Sequence, residues 1–340
     1  MARKDANDYR LIDDKPSLED AIAELKEMIE RDIVLAVDCE GVSLSRKGAL
    51  TVITVATEEK VFIFDVLKLG RSVFSAGLAE ILEDKSHEKL MFDCRQDSDA
   101  LWHQFHVRLT GVLDLQLLEV VYRREISTPK RQPPTQKYYR RSQRTDEVER
   151  INGFRRCLEL YVQDQDLLKV KEDGKKILKR DEEVWIKRPL AEELIQYCIV
   201  DTKAMFKLYD KMKDVFKGQQ ERLRLASERY ADMYRSRFVR YFDDYESNAF
   251  LPLDIIPDKG TLNFPPANTS CTCCHRMFPL EEFSKTQLRN REQKCRVCKE
   301  VKRLDDVETN RQANRARYYN DNYSSDDYVY YGSDDEYFCW

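Results

Sequence analysis

Two acidic residues, Asp38 and Glu40, follow an apolar run in "IVLAVDCEGVSL". Residues two apart on a strand point to the same face, about 6.6 Å apart along it, so these carboxylates would project together and repel each other. The β-branched run from Ile33 to Val37 is typical of a central strand, and ligands in α/β folds collect at strand ends. A divalent cation would supply the counter-charge. A solvated strand end before a turn at Gly41 explains the pair equally well unless more acids converge on it.

Two later segments offer those acids, "KLMFDCRQDSDALW" and "RPLAEELIQYCIVDT". If a helix begins near Arg95, Asp97 lies in its first turn and faces the edge of the sheet. Asp93 is its rival, because a helix boundary is uncertain by about four residues. Tyr197 and Asp201 are four residues apart on a predicted helix and therefore share one face. Each acid alone could be a helix-terminal or solvated group, but four in this order favour a metal site.

The elements that must position these residues alternate along the chain. A helix over 17–31 leads into the strand at 33–38, and two strands at 49–56 and 60–64 form a hairpin pattern. Helices over 73–83, 98–105 and 115–122 alternate with short strands at 89–92 and near 112. Long helices follow over 191–217 and 219–241. The pattern predicts an α/β fold with a mixed β-sheet flanked by helices.

At these residues the chain resembles the DEDD 3′-5′ exonucleases of the ribonuclease H-like fold, in the tyrosine-bearing, RNase D-like branch. The resemblance covers about residues 15–215 and rests on "VDCEG", "FDCRQDSDAL", "VLDLQLLE" and "RPLAEELIQYCIVDT". The wording "DCRQDS" is most similar to the exonuclease domains of Egalitarian-like proteins, which belong to RNA transport and small-RNA pathways. Some of those relatives have lost acids and serve as binding scaffolds, whereas this sequence keeps them all.

The resemblance implies a metal-dependent 3′-5′ exonuclease that acts on nucleic acid with a free 3′ end, single-stranded RNA more than DNA. Tyr197 would orient the attacking water, and Asp114 would support the site without binding metal. A catalytically silent RNA-binding scaffold is the alternative. Two Mg²⁺ or Mn²⁺ ions, about 3.5 to 4 Å apart in sites of this kind, would be held by Asp38, Glu40, Asp97 and Asp201.

A basic insertion at about 123–150 interrupts the alternation of strands and helices. It contains three prolines in "STPKRQPPTQKYYRRSQR", and residues 121–156 hold eleven Lys or Arg against four acids. A solvated loop and a phosphate-binding segment are both compatible with this composition, and aromatic rings among arginines favour base stacking. The candidate nucleic-acid contacts are Arg131, Lys137, Tyr138, Tyr139, Arg140 and Arg141.

Five of the ten cysteines lie between residues 271 and 298. The spacing is Cys271-x2-Cys274, twenty residues, then Cys295-x2-Cys298, which is typical of a structural four-cysteine zinc site. Cys273 and His275 are spare donors that could replace Cys274. Phe278 and Phe283 would supply the small core that the metal completes. Such a finger could bind nucleic acid or a protein partner.

The domain prediction follows from these motifs. A flexible N-terminus (1–15) precedes the exonuclease domain (16–217), a helical extension (218–250), a linker (251–270), the zinc finger (271–303) and a disordered, acidic, tyrosine-rich tail (304–340). No apolar run approaches the roughly 18 residues that span a bilayer, and the first ten residues lack an apolar signal core. We therefore expect an intracellular protein of the nucleus or cytoplasm, without a membrane partner.

Overall fold

A six-stranded mixed sheet forms the centre of the larger of two units. The computed structural model describes residues 9–127, 148–237 and 247–322. The strand order is β1-β4-β3-β2-β5-β6, with β3 antiparallel to β2 and β4 and the other neighbours parallel. The strands are β1 (Tyr9–Ile12), β2 (Leu35–Val42), β3 (Ala49–Ala56), β4 (Val61–Asp65), β5 (Lys89–Met91) and β6 (Val112–Asp114).

Helices pack around this sheet and confirm the predicted α/β class. π-helical turns at Phe74–Leu78 and Leu158–Val162 adjoin helices, and a 3₁₀ turn lies at Val184–Ile186. The helices are α1 (Lys15–Glu30), α2 (Val66–Leu69), α3 (Ala79–Glu83), α4 (Arg95–Phe105), α5 (Leu115–Ser127), α6 (Phe154–Cys157), α7 (Gln165–Arg180), α8 (Glu192–Lys217) and α9 (Gln220–Arg235).

Strand β2 carries the first two acids within the sheet instead of at its end. Leu35–Val37 are fully buried, as expected for a central strand, but pairing with β3 continues past the acids to Val42. The register shifts between Glu40 and Gly41. A Cβ on Gly41 would lie 1.8 Å from the Ala49 carbonyl oxygen, so only glycine permits this close approach. The sequence predicted a strand ending near Asp38 because it does not show how far the partner strand extends.

Helix α8 spans the sheet and carries the third motif. It runs from Glu192 to Lys217, within one residue of the predicted helix, and packs against β2, β3 and β4. Its buried face includes Leu194, Cys198 and Met205 at helical spacing. This packing holds the carboxylate of the same helix over the acids of β2.

The N-terminal prediction was wrong for four residues. Tyr9–Ile12, assigned to a flexible N-terminus, form strand β1, which pairs in parallel with β4 from Tyr9–Val61 to Ile12–Phe64. Ile12 is fully buried there. Four residues carry too little periodicity to predict a strand, and the pairing partner lies about fifty residues away.

The smaller unit is built around the cysteine cluster. The larger unit takes its described residues from 1–130, 152–240 and 255–262, and the smaller from 131–151, 241–254 and 263–340. In the smaller unit Phe278 and Phe283 lie in one buried core with the four cysteines, as predicted. Its elements are the antiparallel strands β7 (Thr269–Ser270) and β8 (Met277–Phe278), a 3₁₀ turn at Leu280–Glu282, α10 (Lys285–Asn290) and α11 (Arg296–Asn322).

Three predicted boundaries around this unit need correction. Helix α9 ends at Arg235, so the helical extension does not reach residue 250. Phe250 and Leu253, assigned to the extension and the linker, pack in the core around the cysteines. Residues 271–303 therefore do not form this core alone. The disordered tail does not begin at 304, because α11 continues to Asn322. Leu304 packs on the same core, and pairs such as Arg303–Glu300 support the exposed turns.

An ion pair fixes the segment that leads into α8. Arg188 donates to both carboxylate oxygens of Asp65 at 2.5 and 2.8 Å, and the Asp65 side chain is only 3% exposed. We expect Arg188→Met to lower the free energy of unfolding by about 3 kcal/mol, because it leaves a buried carboxylate unpaired. Lys187→Met is the matched control: its exposed pair with Asp181 is worth less than about 1 kcal/mol. Urea denaturation followed by circular dichroism compares them, and equal losses would contradict the prediction.

Candidate active site

Three carboxylates from two elements converge at the centre of the larger unit. Oxygen atoms of Asp38 and Glu40 on β2 and Asp201 on α8 all lie within 4.8 Å of one another. Asp201 is buried, and the other two are partly exposed. Among the described residues, none is a hydrogen-bond partner of the buried Asp38 Oδ2. A cluster of carboxylate oxygens with an unsatisfied buried member fits a hard divalent cation such as Mg²⁺ or Mn²⁺.

Electrostatic repulsion within this cluster is strong. Burial raises the pKa of Asp38 well above its usual range, and the negative charges of Asp201 and Asp97 raise it further. Burial likewise raises the pKa of Glu40, with a further contribution from the charge of Asp38. Without a bound cation, ionised carboxylates at these positions therefore oppose folding.

Asp97 lies beside the three acids but outside the 4.8 Å set. It stands in the first turn of α4, which begins at Arg95, three residues before the predicted start at Ser98. This earlier start is the condition under which the sequence placed Asp97 in the first turn. Its Oδ1 accepts a hydrogen bond from the Cys39 backbone N–H at 3.1 Å, so it is tied to the middle of β2. Burial raises the pKa of Asp97 to about 7.

The rival residue Asp93 has a different partner. Both of its oxygens accept hydrogen bonds from Arg95, at 2.5 and 2.6 Å. Arg95 is 6% exposed, and its guanidinium lies 4.6 Å from the ring centroid of Tyr230 and 5.4 Å from that of Tyr234, both on α9. This engagement disfavours Asp93 as a cation ligand and leaves Asp97 as the second-motif candidate.

Asp114 binds the backbone of the turn that leads into α4. Its carboxylate accepts hydrogen bonds from the backbone N–H of Cys94 and of Gln116, each at 2.9 Å. Its own N–H donates to Ser227 Oγ at 2.9 Å. Burial raises the pKa of Asp114 to about 6. These contacts fix the turn into α4 and agree with a supporting role.

Tyr197 lies one turn before Asp201 on α8, at the margin of the acid cluster. The negative charge of Asp201 and then burial raise the pKa of its phenol well above the usual value. Helix α7 packs closely on its ring: a Cβ on Gly174 would lie 2.2 Å from Tyr197 Cδ2. The phenol therefore stays protonated at neutral pH and can donate a hydrogen bond beside the carboxylates.

The site also contains a cation that the sequence motifs did not predict. Lys171 donates to Asp201 Oδ1 at 2.5 Å, with both side chains below 10% exposed. It lies on α7, a helix in which charged residues predominate. A signal was present, because the half-buried Leu167, Leu168, Ile177 and Leu178 share a helical stripe with Lys171 and Gly174.

The four predicted zinc ligands also converge. Cys271, Cys274, Cys295 and Cys298 each place a sulfur within 4.8 Å of the others. The Sγ atoms of Cys271 and Cys298 are 3.7 Å apart, close to the edge of about 3.8 Å for a tetrahedron with Zn–S bonds of about 2.3 Å. Hydrogen bonds from the other three thiols lower the pKa of Cys271, which favours a thiolate.

The other predicted donors and contacts lie elsewhere. Half-buried Cys273 and exposed His275 are outside the sulfur cluster. The backbone N–H of Cys273 donates to Cys271 Sγ at 3.4 Å, so this residue acts through its main chain. The predicted nucleic-acid contacts are outside the described residues; they are Arg131, Lys137, Tyr138, Tyr139, Arg140 and Arg141.

The raised pKa values predict a pH dependence of the metal-free protein. The pKa of Asp97 is about 7 in the folded chain and about 3.9 in an unfolded one. The folded state therefore binds more protons, and its stability is lost as pH rises through 7. In a chelator, the melting temperature should be lower at pH 7.5 than at pH 5.5.

Asp97→Asn should reduce this difference, whereas Asp210→Asn on the exposed face of α8 should leave it unchanged. Differential scanning calorimetry at both pH values checks the prediction. A melting temperature that rises with pH in the chelated wild type would show it to be wrong.

The chain resembles known proteins along most of the larger unit. A family model described as 3′-5′ exonuclease matches residues 9–217. Curated relatives include the piRNA biogenesis protein EXD1 of Mus musculus, 42% identical over 93 residues, and that of Bombyx mori, 33% identical over 87 residues. The matches cover 27% and 26% of this chain, and 16% and 28% of those relatives. The chain thus matches less than a third of either relative's length.

Solved structures share the fold. Trypanosoma brucei RNase D in complex with RNA U12 is 20% identical, with a TM-score of 0.54, covering 82% of this chain and 87% of that one. The GMP complex of the same enzyme is 22% identical, with a TM-score of 0.51, covering 67% and 64%. None of the helices within the described ranges is long and apolar enough to cross a membrane. The family match and the fold agree with the motifs, and the chain belongs to the 3′-5′ exonuclease family.

Proposed function

We propose that this chain removes nucleotides from the 3′ end of single-stranded RNA in a reaction that needs divalent cations. The observation that carries the proposal is the convergence of three carboxylates on an unsatisfied buried oxygen of Asp38. The cation ligands in this proposal are Asp38, Glu40, Asp97 and Asp201. Bound cations in such sites lower the pKa of a water and stabilise the leaving 3′ oxygen.

Two further side chains, those of Tyr197 and Asp97, have separate roles in this proposal. The phenol of Tyr197, kept protonated by the negative charge of Asp201, positions the attacking water as a hydrogen-bond donor and does not remove its proton. Asp97 links α4 to β2 through the Cys39 N–H, so it holds the second motif against the first. Burial of the cluster strengthens each of these electrostatic contacts.

RNA is the proposed substrate class because the relatives point to it. The EXD1 proteins are described as acting in piRNA biogenesis, and the RNase D neighbour was solved with RNA. A role in small-RNA pathways, an Egalitarian-like specialisation, and residence in the nucleus or cytoplasm are part of the same proposal. The scaffold alternative is not favoured, since all four acids are present.

We also propose that the four-cysteine cluster holds one structural Zn²⁺ ion. Four sulfur ligands leave no open position for catalysis, so the ion completes the core around Phe278 and Phe283. Phosphate-binding by the basic insertion, and a protein partner for this smaller unit, are proposals that rest on composition alone.

Substitution of a cation ligand tests the proposed activity. With Mg²⁺ and 5′-labelled single-stranded RNA, the wild type should produce a ladder shortened from the 3′ end. Asp38→Asn should slow shortening by at least about 100-fold, since cations supply several kcal/mol of charge stabilisation, with RNA binding retained. Asp210→Asn is the control. Binding without shortening by the wild type would support the scaffold instead, and a matched DNA strand tests the preference for RNA.

Zinc content tests the cysteine assignment. The 340-residue chain, purified without chelators, should contain one zinc per chain by plasma mass spectrometry. Cys295→Ser should lose the ion and the ordered smaller unit, because zinc binding is coupled to folding. Cys273→Ser should keep it, since that sulfur lies outside the cluster. The reverse pattern, or zinc loss in both variants, would contradict the ligand set.

A further inference from the structure

Lys171 places a positive charge where a cation would bind. Its Nζ lies 2.5 Å from Asp201 Oδ1, and the two side chains are 9% and 7% exposed. The same ammonium lies 4.7 Å from the ring centroid of Phe154 and 5.0 Å from that of Tyr197, so aromatic faces enclose it. Its positive charge lowers the pKa of both Asp38 and Glu40, whereas the charges of the neighbouring acids raise it. One lysine thus partly neutralises the whole cluster.

The helix that carries this lysine is held against α8. Gly174, one turn after Lys171, brings the α7 backbone so close to Tyr197 that a Cβ would lie 2.2 Å from the ring. Asp164 caps the start of α7 and also pairs with Lys207 of α8 at 2.7 Å. These contacts place the ammonium in the site through a helix docked on α8.

A divalent cation and this ammonium cannot use Asp201 together without cost. Lys171 already occupies Oδ1 of Asp201, and two cations a few ångströms apart repel each other in a poorly solvated site. An ammonium buried without its counter-ion is also unfavourable. Charge repulsion therefore favours movement of Lys171 away from Asp201 when a cation binds at Asp38, Glu40 and Asp201.

We propose that Lys171 is a built-in counter-ion that stabilises the metal-free acid cluster, lowers the affinity of the site for divalent cations, and couples cation binding to the release of α7 from α8. The proposal rests on the proposed function, because it assumes a cation site at these acids. In the metal-free protein α7 is locked on the site. In the loaded protein the ammonium has left Asp201 and α7 is looser.

Manganese binding without RNA tests the competition directly. Isothermal titration of the full chain with Mn²⁺ should give Lys171→Met an affinity about tenfold higher than the wild type. Its metal-free form should melt at a lower temperature, because the acids have lost their counter-ion. Lys169→Met, on an exposed position of the same helix, should match the wild type in both measurements. Equal or weaker Mn²⁺ binding by Lys171→Met would overturn the proposal.

A second measurement uses the unaltered chain and does not depend on the folding of the variant. Hydrogen exchange of amides in 165–180 should quicken when Mn²⁺ is added to the wild type, and unchanged or slower exchange would overturn the release of α7. Failure of the proposed function looks different. If the proposed function fails, Asp38→Asn and Asp201→Asn do not reduce Mn²⁺ binding, because the acids do not form a cation site. If only the counter-ion proposal fails, both substitutions still abolish Mn²⁺ binding, but Lys171→Met does not change it.

Discussion

Mutual repulsion of carboxylates is the constraint on which the larger unit depends. Asp38, Glu40 and Asp201 are brought within 4.8 Å by a central strand and a long helix that the hydrophobic core fixes in place. The core cannot relax to separate them, because β2 is paired on both sides and α8 is packed against four strands. Positive charge offsets this repulsion. Lys171 supplies the charge in the metal-free protein and, in our proposal, divalent cations supply it in the active enzyme.

Much of the surrounding structure serves to hold the second motif against this cluster. Arg95, which pairs with Asp93, is buried against two tyrosines of α9, and Asp114 binds two backbone N–H groups of the same region. The polar groups in these contacts are hydrogen-bonded, so burying them costs little free energy. They convert a short loop into a rigid support from which Asp97 reaches the backbone of β2. Helix α9 thus contributes to the site without providing a residue that faces it.

The smaller unit has few apolar residues with which to build a core. Its strands have two residues each, and its core contains few side chains besides the four cysteines. Metal–sulfur bonds would replace the hydrophobic area that such a small unit lacks. Recruitment of Phe250 and Leu253 from the preceding segment enlarges that core, which explains why residues 271–303 do not form the whole unit.

Residue types and spacing were enough to predict the α/β class and to single out Asp38, Glu40, Asp201 and the four cysteines, whose side chains the fold brings together. These features depend on local periodicity and on ligand chemistry. Helix α8 was predicted within one residue for the same reason, since its apolar stripe is long. The extension of β2, the edge strand β1 and the role of Phe250 depend on partners distant in sequence, and a linear pattern does not contain them. Arg95 engages Asp93 and so favours Asp97 as the acid of the second motif, and only the packing of α9 buries Arg95 against aromatic rings. Lys171 shows the same limit most clearly. The stripe along α7 indicates a packed face but not its partner, and only the docking of α7 on Tyr197 makes Lys171 a charge inside the site.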